Sequence, residues 1–424
     1  MTFFLFAIFI FLCIIRVPIA FSLALSSLIM LLYQDFNVVT LIEKLFFGIN
    51  SSSLMAIPGF ILTGVLMLTG GISRYILDCL KAWIGHIPGG MAIVTVLTCM
   101  VFASISGSSI ATVVAIGTIM IPGMIQAGYD KKYSMGLVAT SGTLGSLIPP
   151  SIGLIVYGTI TNTSVGDLFI ASLIPGLLFG FALLVSAVIY ARKNRFGRLP
   201  AASWQERKQK TLKAIWGLLL PVIIFYCIYG GIATPTETSV IAAFYAFMIG
   251  VFVYKEIKIK DIHKIFRDLV YTSSMVYLII AAASIFSMYL TLNQVPQQVS
   301  LWISELYLNP LGFLLLVSLL LLILGTFLDG LSVILIITPI LLPVLTAMDI
   351  NLYYFAIVMA INLEIGMITP PVGLNLFAVA GITREPLEEV IKSVLPFIII
   401  MLIVLLIVIL FPQLSLMLIP HRVL

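Results

Sequence analysis

Charge is what this sequence has least of. Asp, Glu, Lys and Arg make up 9% of its 424 residues, while 61% are apolar. A soluble domain carries roughly 25% charged residues, so a water-soluble enzyme, a nucleic-acid binder and a disordered scaffold are excluded. Cysteine is scarce as well. Cys13, Cys79, Cys99 and Cys227 lie in or beside apolar runs, without metal-binding spacing or a pairing pattern. His86, His263 and His421 are scattered along the chain, which leaves no cluster of base and nucleophile for an enzyme. A glycine-rich loop ending in lysine is missing, and with it an ATP-driven pump. Strict apolar–polar alternation is missing too, which excludes a β-barrel.

What is present is a series of continuous apolar runs. The fold class they imply is an all-α polytopic membrane protein with about ten crossings at roughly 20 residues each. The first run has no basic flank and no small-residue cleavage site, so it is expected to stay as a membrane segment. Residues 1–33 make either one kinked helix or two short spans around Arg16-Val17-Pro18. The basic stretch 191–211, with Arg192, Lys193, Arg195, Arg198, Arg207, Lys208 and Lys210, reads as a cytoplasmic linker near the middle of the chain. Alternating the crossings outward from it puts every Lys and Arg inside except Lys44 and Arg422. Such asymmetry sets orientation in the inner membrane.

The chain also repeats itself. A shift of 221 superimposes Pro122 on Pro343, Tyr133 on Tyr354, Pro149-Pro150 on Pro370-Pro371 and Pro175 on Pro396. With five crossings per half, the two copies face opposite ways, the pattern of many secondary transporters. Each copy holds two interrupted elements. Residues 90–124 and 311–345 are too long for one span and have polar centres, Ser104 to Ser109 and Gly325 to Gly330, so both are read as re-entrant hairpins of half-depth arms. Residues 132–162 and 352–381 are spans broken at Pro-Pro, where proline releases carbonyls that lipid does not tolerate unless they are buried or face a polar cavity.

These four interruptions offer oxygen ligands without Cys or His, a set suited to Na⁺. One Na⁺ site is expected from Ser106, Gly107, Ser108, Ser109, Gly145, Ile148 and Pro149, and its mirror from Gly325, Thr326, Asp329, Gly366, Thr369 and Pro370. Thr112, Ser141, Thr143, Pro150, Ser151, Asn362, Pro371 and Asn375 are expected to form the polar substrate wall, where half-helix N-termini favour a carboxylate. Asp329 and Glu364 keep a proton route open. A sodium-coupled dicarboxylate carrier working alone, and a channel or structural membrane subunit, remain as alternatives.

The passages SISGSSIATVVAIGTIMIPGM, ending at Met124, GTLGSLIPPSIGLIVYG, ending at Gly158, and EIGMITPPVGLNLFAVAG, ending at Gly381, carry a resemblance over essentially the whole chain. It resembles the large membrane subunit of tripartite ATP-independent periplasmic (TRAP) transporters. The resemblance implies scaffold regions at 1–73 and 212–254, an interfacial arm at 74–89 and further arms with a connecting helix at 255–310. It also implies transport regions at 90–190 and 311–412 that move as an elevator. The expected partners are a separate small four-helix membrane subunit, a periplasmic substrate-binding protein, the lipid bilayer and an organic acid, with an inclination to sialic acid; the co-transported ion is Na⁺.

Overall fold

The computed structural model describes residues 2–194 and 199–419. Arg195, Arg198, His421 and Arg422 of the orientation and site arguments lie outside the described residues. Among those described, the chain is helical. The first copy begins with α1 (Thr2–Ile14), α2 (Ile19–Tyr33), α3 (Val38–Ile49), α4 (Ala56–Thr69) and α5 (Ile72–Ile84). It continues with a hairpin of α6 (Gly90–Ser106) and α7 (Ser109–Gln126). The broken span follows as α8 (Lys131–Gly142), α9 (Leu144–Leu147) and α10 (Ile152–Thr161), and α11 (Val165–Asn194) closes the copy. The second copy runs through α12 (Trp204–Tyr229), α13 (Pro235–Met248), α14 (Ile259–Leu292) and α15 (Val295–Glu305). Its hairpin is α16 (Pro310–Phe327) and α17 (Gly330–Ala347), its broken span α18 (Leu352–Gly366) and α19 (Leu374–Thr383), and its last helices α20 (Leu387–Leu410) and α21 (Gln413–Leu416). Nine helices of the described residues are long and apolar enough to cross a membrane, or ten if the pair α4–α5, bent by 62°, counts as one span.

The first 33 residues form two helices, not one. Arg16 sits at φ +67°, which ends α1, and Pro18 opens α2. The copies differ at one point. Adding 221 to α3 and α4 lands both inside the 34-residue α14. The linking stretch Asn50-Ser51-Ser52-Ser53 in the first copy stands where Tyr271-Thr272-Ser273-Ser274 stands in the second. Asn and Ser in succession compete for backbone hydrogen bonds and interrupt a helix, whereas Tyr271 lets the turn continue. Residues 255–310 therefore contain a helix about 51 Å long, with α15 as the arm beyond it.

The copies interlock. α2 packs on α14 and α4 on α13, each pair joining one copy to the other. α7 packs on α19 and α17 on α10 in the same crossed manner. Orientation follows from the broken spans. Lys131 at the start of α8 pairs with Glu385 just after α19, and Lys132 pairs with Glu389 near the start of α20 at 2.7 Å. At the opposite end, the Tyr157 hydroxyl on α10 donates to the Leu352 carbonyl that opens α18 at 3.0 Å. The two broken spans thus run antiparallel, as an inverted repeat requires.

The hairpin arms are 17 and 18 residues long, about 26–27 Å. That exceeds half of the roughly 30 Å hydrocarbon core, so half-depth arms are corrected to longer ones. Their tips are nevertheless inside the protein: Ser104, Ser106, Ser109, Thr326 and Ser332 are all buried.

Candidate functional site

Each hairpin turns on a helix cap. In the first, Gly107 closes α6 at φ +62°, a left-handed conformation that costs glycine nothing, and the Ser108 hydroxyl caps α7 by accepting from the Ala111 amide at 3.4 Å. In the second, Asp329 occupies the equivalent place, accepting from the Ser332 amide at 3.1 Å and from the Ser332 hydroxyl. Ser108 and Asp329 are 221 residues apart, the period of the repeat. The breaks supply two more helix starts: Ser151 caps α10, accepting from the Leu154 amide at 3.4 Å, and Gly373 opens α19. Four N-termini, those of α7, α10, α17 and α19, come from the four interruptions.

Elements from all four interruptions line one cavity of about 140 Å³. Gly107, Ser108 and Ser109 come from the first tip, Ser146 and Ser151 from the first break, Asp329 and Gly330 from the second tip, and Glu364 and Met367 from the second broken span. Two complete spans would hold their turns in opposite aqueous phases, roughly 30 Å apart. Tips that share a wall are the geometry of re-entry from opposite sides.

Around the first tip, the Ser106 and Thr112 hydroxyls lie 3.1 Å apart, and Thr112 donates to the Ser108 carbonyl at 2.8 Å. The Ser109 amide donates to the Ser146 hydroxyl at 3.2 Å. Gly145 approaches so closely that a Cβ there would lie 2.5 Å from the Ser108 carbonyl oxygen. Pro149 is joined to Pro150 by a cis peptide bond, and the Pro150 carbonyl faces Gly107. Ile148 turns the other way, against Gly176 of α11.

The second tip repeats the contact. A Cβ on Gly366 would lie 2.6 Å from the carbonyl carbon of Gly325. The Gly373 amide donates to the Thr326 carbonyl at 3.3 Å, while the Thr369 hydroxyl is taken up by the Ile365 carbonyl at 2.6 Å. Pro370–Pro371 is also cis. Here the symmetry ends: Pro149 and Pro150 are buried, whereas Pro370 is half-buried and Pro371 exposed.

Of the eight residues expected on the substrate wall, Ser151 lines the cavity and the other seven do not. Helical rotation and local bonds explain most of them. Thr112 bonds back to Ser108, and Thr143 donates to the Thr140 carbonyl at 2.6 Å. Asn362 donates to Ser318 at 3.1 Å and to the Val358 carbonyl at 2.8 Å. Asn375 donates to the Ser109 hydroxyl at 2.7 Å and thereby joins the two copies. Ser141 is fully buried. Among the lining residues absent from the expected sets are Ser146 and Glu364. The Glu364 carboxylate faces the Ser109 and Ser146 hydroxyls. An acid in an apolar run six residues before a Pro-Pro break was the sequence signal that could have placed it there. Of the buried oxygens without a hydrogen-bond partner among the described residues, Thr140 Oγ1, Ser141 Oγ, Asn362 Oδ1, Glu364 Oε2 and Asn375 Oδ1 lie in the two broken spans, while Thr238 Oγ1, Ser273 Oγ, Tyr289 Oη and Ser415 Oγ lie elsewhere. Buried oxygens of this kind normally find a partner.

Residues 6–414 match the family described as "Tripartite ATP-independent periplasmic transporter, DctM component". The chain belongs to this family. As a TRAP large permease it is one component of a three-part transporter, an integral inner-membrane transport protein and not an enzyme. It is 45% identical to the C4-dicarboxylate TRAP transporter large permease DctM of Pseudomonas aeruginosa, over 94% of this chain and 93% of that one. It is 35% identical to the sialic acid TRAP transporter large permease SiaM of Vibrio cholerae, over 95% and 94% of the two chains. In fold it is similar to the crystal structure of the Alcanivorax borkumensis YdaH transporter, with a TM-score of 0.65 at 14% identity, covering 90% of this chain and 89% of that one.

Proposed function

We propose that this TRAP large permease imports an organic acid together with Na⁺. Its partners in this reading are a small four-helix membrane subunit and a periplasmic binding protein that delivers the substrate. One observation carries the coupling. Two acidic side chains, Asp329 and Glu364, stand on the cavity wall, and no Lys, Arg or His stands beside them among the lining residues. A carboxylate entering there meets acidic side chains and no basic one, so a cation entering with it supplies the missing counter-charge. Na⁺ supplies that charge, and the four helix N-termini add positive potential at the same place.

Ser106, Gly107, Ser108, Ser109, Gly145, Ile148 and Pro149 are assigned to one Na⁺ site, chiefly through backbone carbonyls and hydroxyls. Gly325, Thr326, Asp329, Gly366, Thr369 and Pro370 are assigned to the other. The hairpins and broken spans then move as one body against the scaffold of 1–73 and 212–254, carrying the cavity across the bilayer as an elevator. For the substrate, relatives named for C4-dicarboxylate transport, up to 45% identical, support a small dicarboxylate. Sialic acid is a second reading, supported by the 35% identity to SiaM.

The test is uptake by the assembled transporter in proteoliposomes, supplied in turn with C4-dicarboxylate and sialic acid binding proteins loaded with their ligands. Accumulation driven by a Na⁺ gradient with one of these supports the reading. Uptake that is the same without the gradient refutes the coupling.

A further inference from the structure

A second, larger concavity of about 660 Å³ lies away from the central cavity, between α8, α11 and α20. It is formed where α8 starts, α11 ends and α20 starts, which the distribution of Lys and Arg places at the cytoplasmic face. Its mouth carries Lys132, Lys193 and Lys392. Below them the wall turns apolar. Along α11, Ile189, Val185 and Ala182 follow Lys193 on one face, and along α20, Pro396 and Ile400 follow Lys392. From Lys193 to Ala182 the helix descends about 16 Å, close to one leaflet's share of the roughly 30 Å core. The two serine hydroxyls on the way down spend their protons on nearby carbonyls. Ser186 donates to the Leu183 carbonyl at 2.7 Å and Ser393 to the Val390 carbonyl at 2.6 Å.

Two carboxylates stand near the three ammonium groups, and both are engaged. Glu389 is shared by Lys132 at 2.7 Å and Lys392 at 2.9 Å. Asp130 accepts from the Tyr133 amide at 2.9 Å. Lys193 has no carboxylate partner among the described residues, so the mouth keeps a surplus of positive charge. Ile189 is 62% exposed and Val185 40%, so the floor is open from the side.

We propose that this groove binds one anionic phospholipid of the cytoplasmic leaflet, with its phosphate between Lys193 and Lys392 and an acyl chain along α11 and α20. Cationic head, apolar floor and leaflet-deep length match the three parts of such a lipid, and basic pockets between helices on this side of a membrane suit anionic headgroups. A zwitterionic lipid fills the floor equally well but gains less at the mouth. Because α11 belongs to the first copy and α20 to the second, the lipid bridges both halves of the mobile part.

The test uses the transporter with its small subunit, in nanodiscs that contain photoactivatable phosphatidylglycerol or phosphatidylcholine with the reactive group in the acyl chain. The phosphatidylglycerol probe is expected to label peptides spanning 182–193 and 392–400 at least about fivefold above the phosphatidylcholine probe, since each lysine near the surface is worth about that factor. Lys193→Gln with Lys392→Gln brings the two probes level, and the double Lys→Arg variant restores the preference. Equal labelling of the wild type by both probes overturns the proposal. So does preferential labelling that survives the double Gln variant, or a groove left unlabelled because the small subunit covers it.

Discussion

Gly366→Ala is the sharpest perturbation of the second ion site. The added Cβ would lie 2.6 Å from both Cα and the carbonyl carbon of Gly325 and 2.8 Å from its oxygen. Carbon atoms rest about 3.5–4.0 Å apart, so α18 and the end of α16 must separate by about 1 Å. All three contacted atoms are backbone, so no flexible side chain absorbs the strain. Overpacking of this kind costs about 1–3 kcal/mol. The strain falls on carbonyls assigned to Na⁺, and so appears as a rise in half-saturating Na⁺ of about five- to 150-fold. The assay is Na⁺-dependent uptake in proteoliposomes by the assembled transporter, read alongside detergent thermal stability. Gly381→Ala in α19 is the control, because nothing lies within 4 Å of a Cβ at that position. It should leave uptake unchanged and raise stability slightly, since alanine favours the helix. A Gly366→Ala transporter with wild-type Na⁺ half-saturation would refute the reasoning.

Four further substitutions separate structure from ion binding. Asp329→Asn keeps a good helix cap and removes the charge, so melting should hold while half-saturating Na⁺ rises severalfold; Asp329→Ala should in addition lower stability by about 1 kcal/mol, seen as an earlier melting transition. Asn375→Ala removes the 2.7 Å bond to Ser109 and should destabilise by about 1 kcal/mol, measured by thermal denaturation of the purified complex. Glu385→Gln breaks the partly exposed pair with Lys131, and a change below about 1 kcal/mol is expected in the same assay.

Reading the chain residue by residue was enough for everything set by local pattern. Continuous apolar runs define helices because lipid forces each segment to satisfy its own backbone. Lysine and arginine asymmetry orients them, and the period of 221 reveals the duplication together with its two tips and two Pro-Pro breaks. Where each interruption falls is therefore legible: Gly107 beside Ser108, Asp329 beside Gly330, and the paired prolines all stand at observed breaks. Rotation about a helix axis and long-range contact are different matters, because neither is encoded in a local window. Ser146 and Glu364 reach the cavity wall, while Thr112, Thr143 and Asn362 turn back onto nearby carbonyls. The union of two helices into α14, the crossed packing of α7 on α19 and of α17 on α10, and the exposure of Pro371 against the burial of Pro150 also arise only once both copies are folded together. Only the assembled fold decides which oxygens lack partners, since a hydrogen bond such as that of Asn375 to Ser109 depends on the distance between segments more than two hundred residues apart.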